Sequence, residues 1–161
     1  MSSKPTNILI AGLGGQGVLK ASDILADVAF SSGLDVKKAD VHGMSQRGGS
    51  VASDVRFGER VFSPMVPPGE ADFLIVIAPD QIEVNRASLK PGGVLIEPSQ
   101  IDESTLPNKK SLNVALLGVL SRHLPFSAEA WTAAIERNLP EKLHDANRQS
   151  FELGRAAGQK S

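Results

Sequence analysis

The sequence predicts an α/β fold: an open, mostly parallel sheet with a Rossmann-like glycine loop, a hairpin insertion and a helical C-terminal third. Three observations support this prediction. A short β-branched apolar run at residues 7–11 leads into glycines and then into a helical period. A second, strongly apolar run at residues 73–78 is typical of a buried parallel strand. An apolar run at residues 114–123 predicts a buried helix, and two further helices are predicted after it.

Length and composition limit the possible classes of protein. The chain has 161 residues, which predicts one domain over residues 1–161. A net charge of -1 argues against general attraction to nucleic acid or to an acidic membrane. The absence of cysteine excludes disulfides, thiolate nucleophiles and iron–sulfur clusters ligated by cysteines of this chain. Because residues 1–6 lack the apolar core of a secretory signal, we expect a cytoplasmic protein.

The first forty residues predict a βαβ unit. A strand at residues 7–11 is followed by a helix that begins near Val18 and ends at Gly33, with a second strand at residues 34–39. The apolar side chains of the helix fall on one face at helical spacing. They are Val18, Leu19, Ala21, Ile24, Leu25, Val28 and Ala29.

The middle of the chain predicts a hairpin and then two further strands. Residues 50–57 alternate in polarity, and Gly58 and Glu59 form a turn towards Val61 and Phe62. A proline-rich connection leads into the strand at residues 73–78, which we expect to be central. The remaining predicted elements are a helix at residues 80–89, a strand at 94–96, a loop at 98–111, and helices at 114–123, 128–138 and 141–154, with Pro140 at the first position of the last helix.

The loop between the first strand and the first helix contains Gly12, Gly14, Gly15, Gln16 and Gly17. Glycines at positions 12, 14 and 17 have the dinucleotide-binding spacing, and bare Cα atoms let backbone N–H groups approach an anion at a helix N-terminus. Two interpretations are open: an anion site, or a tight turn that allows close packing of helix and sheet.

A nicotinamide cofactor would need an acidic residue about 20 positions further on. Asp35 and Asp40 are both candidates, so the glycine motif alone leaves this interpretation open. Against it, 161 residues leave no room for a separate substrate domain.

A second glycine-rich loop follows the second predicted strand, and we expect it at the same carboxyl edge of the sheet. Arg47 beside Gly48 and Gly49 offers a guanidinium and an accessible backbone to a phosphate or carboxylate. His42 has the side chain that titrates nearest to neutral pH. The alternative is a structural turn with Arg47 in a salt bridge.

Classical catalytic and metal-binding patterns are missing from the sequence. The three histidines, His42, His123 and His144, lack ligand spacing, which argues against a metal site. Ser45 is not enclosed by the two glycines of a nucleophile elbow. We therefore assign no catalytic residue to this chain.

Taken together, the motifs at residues 12–17 and 42–51 resemble those of the gamma-type subunits of 2-oxoacid:ferredoxin oxidoreductases. The Gly-Met-Ser-Gln-Arg-Gly-Gly run at residues 43–49 is most similar to the members of that family that act on indolepyruvate. The resemblance continues to residue 154 and covers nearly the whole chain. Further matching segments are residues 55–58, 63–64, 69–72, 89–93 and 151–154.

This resemblance implies oxidative decarboxylation of a 2-oxoacid to an acyl-CoA, with ferredoxin as the electron acceptor. It places thiamine diphosphate and the iron–sulfur clusters on a larger partner subunit, with CoA as co-substrate. The present chain, which has no Gly-Asp-Gly…Asn signature, would be inactive alone and would contribute a docking wall and part of the closed site. The residues that the resemblance assigns to cofactor binding are Gly12, Gly14, Gly15, Gln16, Gly17, His42, Met44, Gln46, Arg47, Gly48 and Gly49.

Two alternatives remain open from the sequence. The complex could act on pyruvate, 2-oxoglutarate or a branched 2-oxoacid instead of an arylpyruvate, or the chain could be a stand-alone nucleotide-binding module. A nucleic acid or membrane partner is not expected.

Overall fold

A computed structural model describes residues 4–42 and 49–159, except for the side chains of His42 and Gln159. Five strands form one sheet in the order β2-β3-β1-β4-β5. Because β3 alone is antiparallel to its neighbours, the other four strands run in one direction, and the predicted mostly parallel open sheet is confirmed. The strands are β1 (Thr6–Leu13), β2 (Asp35–His42), β3 (Ser50–Gly58), β4 (Ala71–Val76) and β5 (Leu89–Ile96).

The helices account for much of the remaining chain, and the helical C-terminal third is confirmed. They are α1 (Val18–Ser31), α2 (Ile82–Asn85), α3 (Leu112–Ser121), α4 (Ala128–Asn138) and α5 (His144–Gln159). Short 3-10 turns flank α2, occupy the connection from β5 to α3, and precede α5. Within the described ranges, none of the helices combines the length and apolar composition that crossing a bilayer requires.

The predicted hairpin exists, but its strands are β2 and β3, not β3 and residues 61–62. Val61 is buried and gives its backbone N–H to the Asp35 carboxylate at 2.8 Å, so it does not pair with a strand. The hairpin also inserts β3 between β1 and β2. The two strands of the predicted βαβ unit are therefore parallel but are not neighbours.

Other element boundaries also differ from the sequence prediction. The helix expected at residues 80–89 is a chain of short turns around α2. The strand expected at 94–96 begins earlier, at Leu89, and Pro91 lies where the pairing of the edge strand β5 with β4 is irregular, between Leu89 and Val94. Pro140 lies just before a 3-10 turn, Glu141–Leu143, and α5 begins only at His144.

The core lies mainly between the sheet and the helices. Strand residues such as Ile8 and Ile75 pack with residues of α1, α3, α4 and α5 in one large cluster. A smaller cluster on other strand positions, including Leu9 and Leu74, packs against Val66 and the α2 residue Ile82. The second cluster is therefore covered by α2 and by a segment at residues 59–70, which we call the strap.

Candidate functional site

The glycine loop connects β1 to α1 at the carboxyl edge of the sheet. Gly15 and Gly17 have φ angles of +89° and +81°, in the left-handed region that favours glycine. Gly12 needs its bare Cα for a different reason. A Cβ there would lie 2.9 Å from Gln16 Oε1 and 3.0 Å from Val18 Cγ2. The loop thus requires glycine both for its conformation and for close packing.

Several polar groups of this loop are satisfied from within the protein. The Leu13 N–H donates to Gln16 Oε1 at 2.8 Å, and the Gln16 N–H donates to the Leu13 carbonyl at 3.2 Å. The Gly14 N–H donates to the Gly49 carbonyl at 2.9 Å. A pyrophosphate would have to compete with these bonds, so the amides best placed to meet a ligand are those of Gly15 and of the first turn of α1.

The stem of the second loop lies at the same edge. Gly49 is bonded to the glycine loop through Gly14, and the Ser50 hydroxyl donates to Gln81 Oε1 at 2.8 Å. β2 ends and β3 begins here, beside the end of β1. Four predicted site residues, Met44, Gln46, Arg47 and Gly48, lie outside the described residues, as does the side chain of His42.

Two buried amide side chains support the site, and the sequence analysis did not identify either of them. Asn113 Nδ2 donates to the Gly17 carbonyl at 3.1 Å, which ties the N-terminal turn of α3 to the start of α1. Gln81 accepts the Ser50 bond. A usable signal existed for Asn113, since it is a lone amide in the otherwise apolar helix α3.

The edge between β1 and β4 is a topological switch point, where the connections after the two strands cover opposite faces of the sheet. α1 packs with the larger core cluster, whereas the α2 residue Ile82 packs with the smaller one. In open α/β sheets, ligands bind outside the carboxyl ends of strands where successive connections change face. A shallow cavity of about 270 Å³ lies on the other side of the glycine loop, between the first turn of α1 and the start of β3. Its lining is mostly apolar, with one cation: Leu13, Gly14, Gly15, Gly17, Val18, Leu19, Lys20 and Val51.

The two candidate acids for a ribose are engaged elsewhere. Asp35 lies at the start of β2, away from the glycine loop, and the Val61 N–H holds the pKa of its carboxyl below the usual value. Asp40 accepts bonds from Ser53 at 2.6 Å and from Lys38 at 3.0 Å. Because β3 separates β2 from β1, neither acid has the position that nicotinamide binding needs beside the glycine loop.

The two histidine side chains that the structure describes have separate surroundings. The His123 ring packs against Phe73 with 5.4 Å between centroids. His144 Nε2 lies 2.8 Å from the Leu139 carbonyl oxygen. Among the described side chains, no group of three or more His, Cys, Asp or Glu could hold a metal ion.

Comparison with known proteins establishes the class to which this fold and glycine-loop arrangement belong. The model of the pyruvate ferredoxin/flavodoxin oxidoreductase family matches residues 7–110. The chain therefore belongs to this family, and the resemblance inferred from its motifs is confirmed.

Individual relatives match over nearly their full length. The chain is 35% identical to indolepyruvate oxidoreductase subunit IorB of Thermococcus kodakarensis, over 94% of this chain and 95% of that protein. The IorB subunit of Pyrococcus horikoshii is 33% identical with the same coverage.

The fold also matches solved structures. The gamma subunit of a keto/oxoacid ferredoxin oxidoreductase from Geobacter sulfurreducens superposes with a TM-score of 0.82 at 22% identity, covering 98% of both chains. The 2-oxoglutarate:ferredoxin oxidoreductase of Magnetococcus marinus gives a TM-score of 0.83 at 20% identity, over 99% of this chain but 32% of that chain.

Proposed function

We propose that this chain is the small, cluster-free subunit of a 2-oxoacid:ferredoxin oxidoreductase that acts on an arylpyruvate such as indolepyruvate. The observation that carries the proposal is the likeness to IorB subunits over nearly the whole of both chains, at 35% identity. A chain of 161 residues without cysteine fits a subunit that does not itself hold the clusters.

In the proposed reaction, the 2-oxoacid and CoA give an acyl-CoA and carbon dioxide, and two electrons pass to ferredoxin. The larger subunit supplies thiamine diphosphate for decarboxylation and the iron–sulfur clusters for electron transfer. The present chain supplies binding surface, and by itself it oxidises nothing.

The carboxyl edge is the surface that we propose closes over the partner's reaction centre. The bond from Gly14 to Gly49 joins the glycine loop to the stem of the second loop, so the described stem lies at the same edge. The apolar cavity beside Leu19 suits an uncharged portion of substrate or CoA, and Lys20 at its rim suits a negative group. Arg47, with Gly48 and His42, is proposed to bind a carboxylate or phosphate.

The direct test is to co-express the chain with its larger subunit without oxygen and to measure CoA-dependent reduction of ferredoxin. We expect kcat/KM for indolepyruvate to exceed that for pyruvate, 2-oxoglutarate and 2-oxoisovalerate by about tenfold or more. Each subunit alone is the control. Oxidation of any 2-oxoacid by the small chain alone would contradict the proposal. An equal kcat/KM for pyruvate and indolepyruvate would contradict the preference for an arylpyruvate but not the assignment to 2-oxoacid:ferredoxin oxidoreductases.

Replacing Arg47 by Ala in the assembled enzyme separates a functional loop from a passive scaffold. We expect a raised KM for CoA or 2-oxoacid, or a lowered kcat, and Arg86→Ala on the exposed surface is the matched control. Unchanged kinetics would favour a scaffold. Saturable NADH binding by the isolated chain would instead favour a nucleotide-binding module.

A further inference from the structure

The strap, residues 59–70, crosses the side of the sheet opposite the large helices, and carboxylates of the sheet hold its main chain. Asp35 of β2 accepts the Val61 N–H at 2.8 Å. Asp54 of β3 accepts the Val66 N–H at 2.9 Å, and burial raises the pKa of this carboxyl. Val66 also packs its side chain against the smaller core cluster.

Two further sheet residues bind carbonyl groups of the strap. Arg56 of β3 donates to the carbonyls of Ser63 at 2.9 Å and Met65 at 3.3 Å. Asn7 of β1 donates to the Glu70 carbonyl at 3.1 Å. The strap therefore has attachments to three strands along its length, which fixes its conformation without any regular secondary structure of its own.

This well-anchored segment presents apolar side chains to solvent. Phe62 is 86% exposed and Met65 is 50% exposed. The residues on either side of Phe62 are the ones whose backbone groups are bonded, through the Val61 N–H and the Ser63 carbonyl. An aromatic side chain on a fixed backbone loses little entropy on binding, and such residues dominate protein–protein interfaces.

The groove beside Phe62 has mostly cations among its charged residues. This groove, of about 580 Å³, is lined by Lys4, Arg56, Arg60 and one acid, Glu59. In the part of the chain that the structure describes, no ion pair engages Lys4 or Arg60. The lining of this groove thus carries three cations and one acid, whereas the whole chain has a net charge of -1.

On the helical side of the molecule, several charges are paired within the chain. Arg137 of α4 pairs with Asp27 of α1 at 2.8 Å, and this bond holds the pKa of Asp27 below its usual value. Arg148 of α5 pairs with Glu136 and Asp145. These charges neutralise one another within the chain.

We propose that the strap face docks on the larger subunit, with Phe62 entering an apolar pocket whose rim carries carboxylates. The inference rests on the proposed function, because the larger subunit is its occupant. In the Magnetococcus marinus protein, the same fold makes up 32% of a longer chain, so a large neighbouring protein body is a normal setting for it. Since Lys4, Arg56 and Arg60 line the groove beside Phe62, we expect carboxylates on the partner surface that faces this groove.

The experiment measures binding of the purified chain to the larger subunit by calorimetry. We expect Phe62→Ser to raise Kd by about tenfold or more, whereas Phe30→Ser, the matched control, changes it by less than about twofold. Phe30 is 72% exposed on α1 and bears no strap contacts, so both variants remove a similar exposed ring. Arg60→Glu is expected to weaken binding and its salt dependence, with Lys142→Glu as the charge control.

The outcomes are distinguishable. If the unmodified chain does not bind the larger subunit, the proposed function fails and this inference fails with it. If it binds, but Phe62→Ser and Arg60→Glu bind equally well, the docking surface is wrong and the proposed function stands. Sedimentation of the isolated chain measures whether it associates with itself. Self-association that Phe62→Ser abolishes would make a second copy the occupant and overturn the inference. Melting followed by circular dichroism checks that every variant is folded.

Discussion

At the residue scale, the two left-handed glycines of the glycine loop have different surroundings, and this difference gives a prediction. A Cβ on Gly17 would overlap Asn113 Nδ2, whereas a Cβ on Gly15 would meet nothing within 4 Å. Gly15→Ala should lower the free energy of unfolding by about 1–2 kcal/mol, from backbone strain alone. Gly17→Ala should lower it by about 2–3 kcal/mol, because it also displaces the Asn113 bond. Urea denaturation of both variants measures the two losses.

Asn113→Ala completes this comparison. If the overlap with Asn113 causes the larger loss at Gly17, then Gly17→Ala in the Asn113→Ala background should lower the free energy of unfolding by about as much as Gly15→Ala does. Equal losses for Gly15→Ala and Gly17→Ala in the unmodified chain would contradict the prediction, since strain would then explain both.

The same residues show how much of the candidate site could be predicted from sequence. The spacing of Gly12, Gly14 and Gly17 is local, and it identified the loop. Asn113 stands out as a lone amide in α3, but its partner could not be predicted, because that bond joins residues 96 positions apart and depends on how α3 packs. Sequence spacing made Asp35 a candidate ribose ligand, but its carboxylate accepts a hydrogen bond from the Val61 N–H of the strap.

At the scale of elements, the contact between α3 and α5 depends on glycine, and the size of the effect of an alanine substitution distinguishes two positions. Ala is ordinarily favoured over Gly within a helix by about 1 kcal/mol. At Gly154, however, a Cβ would overlap the Ala115 carbonyl and lie 3.0 Å from Gly118 Cα. Gly154→Ala should therefore be destabilising by about 2 kcal/mol or more, since rigid backbones must move apart.

Gly158→Ala is the matched control on the same helix. There the nearest atom to a Cβ is Arg122 Cγ at 3.1 Å, on a flexible side chain, with the Val119 carbonyl oxygen at 3.2 Å. Helix propensity should largely offset this milder crowding, for a net change within about 1 kcal/mol. Thermal unfolding of the two variants tests the pair, and a Gly154→Ala protein as stable as the unmodified chain would show that the helices separate easily.

Elements with strong local patterns were predicted well, and those set by distant contacts were not. α4 has the predicted bounds because its Ser127 cap and apolar spacing are both local. The order of strands in the sheet, by contrast, does not follow from local patterns. Nothing within residues 34–57 indicates that the β2–β3 hairpin inserts β3 beside β1, since that choice depends on pairing across the sheet. The helix predicted at residues 80–89 is a series of short turns instead, because this segment buries few side chains besides those of Gln81 and Ile82.

At the scale of the whole molecule, a row of aromatic rings connects the sheet to the C-terminal helices. Phe57 of β3 lies 5.5 Å from Phe126, which lies 6.3 Å from Trp131 of α4, and Trp131 lies 5.6 Å from Phe151 of α5. Trp131 is fully buried, and its indole N–H has no partner among the described atoms. Since one cluster contains these rings together with the strand residues, the helical third is part of the same core.

This shared core predicts cooperative unfolding of residues 1–161 as a single domain. Trp131 is the sole tryptophan, so its fluorescence reports the helical layer, whereas circular dichroism reports all helices and strands. The two signals should give one coincident urea transition. Phe126→Leu, which removes the ring that contacts both Phe57 and Trp131, should shift both curves together to lower urea. Loss of the fluorescence signal at lower urea than the dichroism signal would instead mean that the helices unfold as a separate unit. The sheet with its glycine loops would then be able to fold without them.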